Sequence, residues 1–294
     1  MINHHALIRT FVLNKIHSEI ETDRIIESLK QCNFEYWDQI ESTFFSSEEI
    51  TRENRQKLKL QWLEQIDKIK ADKDYGIEFV GIGEDAYPKY FHRMLRPPLL
   101  ISYIGNPVWK TYPCLAVVGS REPHPYTVSW LKYELREFIK TSEVAIVSGG
   151  ARGVDFLAHT LAVDVHKPTV VVVPSGLRTL YPSKLNSFVP QVLQTGGCVI
   201  SEYESNFEMR KHLFSHRNRI IAAMNHALLI GEANLQSGTM MTANLALEMN
   251  KPVWVVPGHP LMKAFAGSLD IVLYGGQMVR NSSDLKIFFE TECH

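Results

Sequence analysis

The sequence predicts an α/β fold: a doubly wound parallel sheet forms the larger domain, and a small helical domain precedes it. After Tyr112, six short apolar segments alternate with longer amphipathic stretches. The segments are LAVVGS, VAIVSGG, TVVVVPS, CVISEY, ALLIGEA and PVWVVPG. Unbroken apolar strands are typical of parallel sheets that helices cover on both faces. Before residue 75, apolar residues recur instead at helical spacing.

We expect the chain to divide at two places. Residues 1–74 predict a helical domain, because apolar side chains recur among Glu, Lys and Gln. The positions that carry this pattern are Ile25, Ile26, Leu29, Leu58, Trp62, Ile66 and Ile69. Residues 75–110 contain short apolar pieces broken by Gly and Pro, which predicts a strand-bearing linker module. Residues 111–294 then form the sheet domain.

Composition excludes several classes of protein. The 31 basic residues are balanced by 32 acidic ones, so the chain is not a globally basic DNA-coating protein. Its four cysteines lack CxxC spacing, which argues against a zinc site and a disulfide framework. The N-terminus lacks a signal-peptide pattern, and no apolar run reaches the ~18 residues of a membrane span. We expect a cytoplasmic protein with no membrane contact, no metal and no other cofactor.

Small and polar residues follow the predicted strands, at the sheet edge where ligands of open parallel sheets bind. Gly119, Ser120 and Arg121 come after the first strand. Glycine permits close backbone approach, serine offers a hydroxyl, and arginine offers a bidentate donor to phosphate. Alternatively, Gly119 only permits a tight turn and Arg121 is solvated.

A second loop repeats this chemistry. Ser148, Gly149 and Gly150 begin the run SGGARG, whose glycine amides could point at an anion beneath the next helix. The run fits neither GxGxxG nor GxxxxGK[ST], so dinucleotide binding and Walker-type ATP hydrolysis are unsupported. Asp155, in the first turn of that helix, is interpreted as serving the helix dipole.

A third candidate anion-binding position is the start of a later helix. Ser237, Gly238 and Thr239 supply hydroxyls and free amides there, although Ser237 equally fits a plain N-cap.

A local positive patch lies between Met209 and Gly231, a segment without Asp or Glu. Its basic residues are Arg210, Lys211, His212, His216, Arg217 and Arg219. Phe214 lies inside this cluster, where an aromatic ring can stack on an unpaired base with about 1–3 kcal/mol per base. A lone Phe is also a common core residue, but its polar neighbours favour exposure. The patch predicts a nucleic-acid contact and would repel a metal ion from the two histidines.

With these motifs in order, residues 76–280 resemble the DprA/Smf family of DNA-processing proteins. The motifs are VVGSREPHPY, VSGGARGVDFLAH, LRTLYPSKLNSF, ISEY and FSHRNRIIAAMNHALLIGEANLQSGTMMTANLALEMNKPVWVVPG. The resemblance implies a Rossmann-like domain that binds and protects incoming single-stranded DNA, loads RecA recombinase during natural transformation, forms a homodimer and performs no catalysis. It also leads us to expect no C-terminal winged helix, since only SSDLKIFFETECH follows the last strand.

The resemblance implies a DNA pocket at Ser120, Arg121, Ser148, Gly149, Gly150, Lys211, Phe214, Arg217, Asn218 and Arg219, with an added contact from Lys184 in the YPSKLN turn. The loop and helix-start chemistry described above adds Gly119, Ser237, Gly238 and Thr239. The complete predicted DNA-binding set is Gly119, Ser120, Arg121, Ser148, Gly149, Gly150, Lys184, Lys211, Phe214, Arg217, Asn218, Arg219, Ser237, Gly238 and Thr239.

Two alternatives stay open. Phosphoribohydrolases of the lonely-guy type share this Rossmann variant and cleave nucleoside monophosphates, with the signature PGGxGTxxE. Here the comparable stretch is NLQSGTMMT, in which Thr242 takes the place of the glutamate, so the acid or base would be missing. A small-nucleotide sensor would keep the phosphate loops but would not need Phe214 or the basic cluster.

Overall fold

A computed structural model describes residues 1–14, 27–28, 36–44 and 51–292. The chain divides into two compact units. The first contains Met1–Tyr87 and Pro98–Ser102, and the second contains Pro88–Pro97 and the chain from Tyr103 onward. The expected linker module, residues 75–110, is therefore not a unit of its own, because its segments are shared between the two.

The first unit is largely helical in the residues described. Its helices are α1 (Ile2–Asn14), α2 (Trp37–Phe44) and α3 (Arg52–Asp74), and strand β1 (Glu78–Gly81) follows. The Thr51 hydroxyl caps α3 by accepting a hydrogen bond from the Asn54 amide. The apolar positions predicted on α3, namely Leu58, Trp62, Ile66 and Ile69, are all buried. Ile25, Ile26 and Leu29 lie outside the described residues.

The sheet of the second unit is parallel and doubly wound, as predicted. Strand β2 (Leu100–Gly105) enters this unit at Tyr103. The strands that follow are β3 (Cys114–Val118), β4 (Ala145–Ser148), β5 (Thr169–Val172), β6 (Cys198–Ser201), β7 (Ala227–Ile230), β8 (Val253–Val255) and β9 (Gln277–Met278). Their order is β6-β5-β4-β3-β7-β8-β9, and each of these pairs is parallel.

Helices alternate with these strands. They are α4 (Pro125–Trp130), a π-helical turn (Leu131–Leu135), α5 (Arg136–Thr141), α6 (Val154–Asp164), α7 (Leu185–Gln194), α8 (Leu213–Ala223), α9 (Gly238–Glu248), α10 (Ala266–Leu273) and α11 (Ser282–Glu292). No helix among the described residues combines the length and apolarity that crossing a bilayer requires.

Both faces of the sheet are buried. On one face, Leu115 and Val117 of β3 pack in a single apolar cluster with Val154 of α6 and Phe138 of α5. Side chains alternate between the faces of a strand, so Ala116 points to the opposite face, where it is also fully buried. Burying a large apolar side chain contributes about 1.5–3 kcal/mol, which explains why the strands are apolar throughout.

Candidate functional site

The sheet order places a ligand crevice between β3 and β7. From β3 the chain winds outward through β4, β5 and β6, and it later returns to pair β7 on the other side of β3. The loops after β3 and β7 therefore diverge, which opens a crevice at the carboxyl ends of the strands. A cavity of about 530 Å³ lies there. Ten of the predicted residues line it: Gly119, Ser120, Arg121, Lys211, Phe214, Arg217, Asn218, Ser237, Gly238 and Thr239.

A second cavity of about 510 Å³ shares a wall with the first. Its lining includes Gly149, Gly150 and Lys184 from the predicted set, and also Tyr181 and Phe156. Arg121 and Phe214 line both cavities. The Arg121 guanidinium carbon lies 5.3 Å from the centre of the Phe214 ring, and the Tyr181 ring meets Phe214 edge-on at 5.7 Å between centroids. The sequence motifs thus converge on one surface with a cation and two aromatic rings at its middle.

Three cations border this surface without neutralisation. Arg121, Lys184 and Lys211 are exposed, and none of them forms an ion pair with a described residue. The Lys184 ammonium lies 3.8 Å from the centre of the Phe156 ring, which holds it at the rim of the second cavity. The three cations give the rims of the two cavities a local positive potential.

Gly153 lets the loops after β3 and β4 meet. Its φ is 90°, a conformation that L side chains rarely adopt, and a Cβ there would lie 2.2 Å from the Ser120 carbonyl oxygen. Val154, the next residue, donates its amide to that same oxygen at 3.1 Å. The position of Arg121 therefore depends on glycine at 153.

Arg217 is buried, although the basic cluster suggested that it contacts a DNA phosphate. Only 3% of the residue is exposed, and Nη1 donates to the carbonyl oxygens of Gly149 at 2.6 Å and Val172 at 2.5 Å. Burial lowers the pKa of the guanidinium to about 10, partly offset by the charge of Asp155. A Cβ on Gly149 would lie 2.1 Å from Nη1, so the loop and the guanidinium fit only because residue 149 is glycine. Arg217 holds the loop after β4, and we correct its expected contact with phosphate.

Asp155 is an acidic side chain beside the two loops that were expected to bind an external anion. It lines the first cavity and is 7% exposed. Burial raises the pKa of its carboxyl group to about 6, although Arg217 and hydrogen bonds from the Gly149 and Gly119 amides act in the opposite direction. The loops after β3 and β4 thus have an internal carboxylate beside them, whereas the loop sequences alone suggested an external anion. Asp155 lies in the first turn of α6, as its dipole interpretation requires.

Ser148 and Arg219 are placed away from both cavities. The Ser148 hydroxyl is fully buried and donates to the Val117 carbonyl at 2.6 Å, so it belongs to the sheet. Arg219 forms an ion pair with Glu202 and donates to the Arg96 carbonyl at 2.7 Å. His216 lies 3.4 Å from the same carboxylate. Glu202, distant in the sequence, therefore neutralises part of the patch, and the expected roles of Ser148 and Arg219 are corrected.

The start of α9 is capped from within the chain. The Ser237 hydroxyl accepts from the Met240 amide at 3.4 Å and donates to the Asn234 carbonyl at 2.7 Å. Thr239 is buried, whereas Gly238 is exposed. Ser237 is thus an N-cap that also lines the first cavity, and its contact with DNA stays a prediction.

The predicted DNA-binding set omitted two groups of cavity residues. Glu232 lines the first cavity, and its carboxylate accepts from the Thr127 hydroxyl at 2.8 Å and the His124 amide at 2.7 Å. Its position directly after β7 was the available signal, because strand ends line this edge. Tyr181 and Phe156 had no comparable signal, since an aromatic residue in a loop or a helix is more often a packing residue.

Comparison with known proteins agrees with the sequence motifs. The sequence model of the DNA recombination-mediator protein A family matches residues 78–290. The chain is 30% identical to protein Smf of Borreliella burgdorferi, over 69% of this chain and 64% of that protein. It is also 30% identical to DNA processing protein DprA of Streptococcus pneumoniae, over 77% of this chain and 79% of that protein.

Two solved structures share the fold. The X-ray structure of DNA processing protein A from Streptococcus pneumoniae superposes with a TM-score of 0.67 at 26% identity, covering 90% of this chain and 97% of the other. A structure from Helicobacter pylori, which addresses the single-stranded DNA binding mode of that DNA processing protein A, gives a TM-score of 0.65 at 30% identity, covering 74% and 97%. The chain belongs to the DNA recombination-mediator protein A family.

Proposed function

We propose that this protein binds single-stranded DNA across the two cavities and acts in DNA recombination. The observation that carries the proposal is the Arg121–Phe214 contact shared by both cavities, with Lys211 beside one and Lys184 beside the other. Family membership and the single-stranded DNA binding mode of the Helicobacter pylori relative support it.

The binding mode follows from the side chains available. Arg121, Lys184 and Lys211 neutralise phosphates and release counterions. Phe214 and Tyr181 offer rings to bases, and such stacking requires unpaired bases but tolerates any sequence. Single-strand selectivity without sequence preference is the expected result.

The polar groups of the first cavity fit a binding role without catalysis better than they fit phosphoribohydrolase activity. The Thr242 hydroxyl, at the place of that family's glutamate, donates to the Gly238 carbonyl at 3.1 Å within α9. Glu232 is held by two hydrogen bonds, and Asp155 is buried among loop amides. An assay for adenine release from AMP tests this alternative, and release by the wild-type protein would refute the non-catalytic role.

The finer part of the proposal is that this cytoplasmic protein protects incoming single strands as a homodimer and loads RecA during natural transformation. The homodimer is supported by exposed apolar side chains near the edge strand β9. Leu273, Tyr274 and Met278 are 81%, 77% and 57% exposed, and an uncovered strand edge offers pairing to another chain. Light scattering should give a dimer mass that Leu273→Asp reduces, and a monomeric wild type would refute it. RecA filament formation on protein-coated single strands tests the loading step.

The first test of DNA binding is fluorescence anisotropy of a labelled single-stranded oligonucleotide over a range of salt, with duplex as competitor. Arg121→Ala and Lys211→Ala should each weaken binding and reduce the salt slope by roughly 0.7 per lost phosphate contact. Lys132→Ala is the matched control, because Lys132 is exposed and lines neither cavity. Equal slopes in all four proteins would remove Arg121 and Lys211 from the interface.

A further inference from the structure

A third cavity, of about 400 Å³, lies at the opposite edge of the sheet. His226 immediately precedes β7, and Lys251 and Pro252 immediately precede β8, so they lie at the amino ends of these parallel strands. The proposed DNA surface is at the carboxyl ends. The 3₁₀ turn Lys89–Arg93 and Phe288 of α11 complete the lining. This site is therefore independent of the proposed DNA-binding function.

The lining of this third cavity is basic and contains no acidic residue. Its residues are Lys89, Tyr90, Arg93, His226, Lys251, Pro252 and Phe288. Lys89 and Arg93 are exposed at the rim, whereas Lys251 is only 7% exposed. None of these three cations forms an ion pair within the part of the chain that the structure describes.

Lys251 is held in place by contacts that leave its charge uncompensated. Its ammonium donates to the Asn225 carbonyl at 2.5 Å and lies 5.0 Å from the centre of the Tyr90 ring. Burial, reinforced by the nearby charge of Arg93, lowers the pKa of Lys251 to about 8. A buried charge without a counter-ion is costly, so an anion in this cavity would stabilise the folded protein.

His226 adds an oriented hydrogen-bond donor. Its Nδ1 lies 3.1 Å from the Cys114 amide nitrogen and 3.2 Å from the Tyr90 hydroxyl. A backbone N–H can only donate, so Nδ1 accepts and the proton of the neutral ring is on Nε2. Burial lowers the pKa of His226, which favours this neutral form. Nε2–H forms no hydrogen bond with a described residue and completes a set of three cations and one neutral donor.

We propose that this cavity binds a phosphate group, with Lys251 and His226 at its base and Lys89 and Arg93 at its rim. Three cations match a dianionic or polyanionic group better than a single carboxylate. The volume exceeds what one phosphate fills, and Tyr90 and Phe288 supply ring surfaces for the remainder of the ligand. The phosphate belongs either to a small molecule such as a nucleoside diphosphate or to a nucleic-acid backbone.

Calorimetric titration of the full chain with inorganic pyrophosphate, ADP and a single-stranded oligonucleotide tests the site. We expect pyrophosphate to bind the wild type, and the double variant Lys89→Ala, Arg93→Ala to bind it about ten-fold or more weakly, because two of the three cations that line the cavity are lost. Lys132→Ala should leave pyrophosphate affinity unchanged, because Lys132 is exposed and does not line the third cavity. The rim residues are exposed, so the double variant should fold. Lys251→Met then tests the base of the site.

Comparing the three ligands also shows whether the bound phosphate belongs to a nucleotide or to a nucleic-acid backbone. Tighter binding of ADP than of pyrophosphate identifies a nucleotide, whereas a loss confined to the oligonucleotide in the double variant identifies a nucleic-acid backbone. The site is overturned if none of the three probes loses affinity in the double variant. It is equally overturned if a poly-glutamate peptide binds there more tightly than pyrophosphate. A failed DNA-binding proposal with intact pyrophosphate binding would leave this inference standing.

Discussion

The substitution Gly153→Ala should displace the loop after β3, which borders the proposed DNA surface, and destabilise the protein. At φ 90°, an L side chain costs about 1–3 kcal/mol of backbone strain. The added Cβ would also lie 2.2 Å from the Ser120 oxygen and 2.7 Å from the Arg121 Cα, so the loop after β3 must move. The opposing gain from a less flexible unfolded chain is only about 0.4–1 kcal/mol. The free energy of unfolding should therefore fall by about 1 kcal/mol or more.

Urea denaturation measures this change, and Gly238→Ala is the matched control. The nearest atom to a Cβ on Gly238 is the Asn218 amide nitrogen at 3.9 Å, and Gly238 begins helix α9. Alanine there should raise the free energy of unfolding by up to about 1 kcal/mol, from helix propensity. Under conditions where both variants are folded, Gly153→Ala should bind single strands more weakly because Arg121 is displaced. A Gly153→Ala protein as stable and as tightly binding as the wild type would refute this account.

Three further substitutions test individual contacts. Phe214→Ala should weaken single-strand binding by about 1–3 kcal/mol with an unchanged salt slope in anisotropy titrations, because stacking releases no counterions; a changed slope would contradict the stacking role. Arg219→Ala leaves the partly buried Glu202 without its arginine partner and with only His216 beside it, so urea denaturation should show a loss of about 1–3 kcal/mol, while DNA affinity stays near the wild-type value; a large fall in affinity would restore Arg219 to the interface. Asp155→Asn should remove a pH dependence of stability. The folded-state pKa of about 6 exceeds the ordinary 3.8, so the folded wild type binds the extra proton, and its stability relative to Asp155→Asn falls by about 2 kcal/mol as the pH rises from 4 to 7; parallel pH profiles would contradict this.

The sequence alone determined the six apolar strands, their parallel arrangement and the sheet edge at which we propose the DNA surface. Continuous apolar runs require burial on both faces, and local composition is sufficient to recognise them. The same strands end in Gly119, Ser148 and Glu232, and parallel strands bring their carboxyl ends to one edge. The division of residues 75–110 between two units was not predictable in this way, because it depends on which segments pack together.

Only the tertiary structure decided which polar side chains remain available. Arg121 follows a strand and Arg217 lies in helix α8, and the residue type does not distinguish them. Yet the Arg121 side chain is exposed, whereas the buried Arg217 side chain donates hydrogen bonds to the Gly149 and Val172 carbonyls. Arg219 looked free because its own segment lacks acids, but folding brings Glu202 against it. Charges act through distance in space, and the pairing of distant segments sets that distance. The third cavity also depends on the pairing of distant segments, because Arg93, His226 and Lys251 come together only in the folded chain.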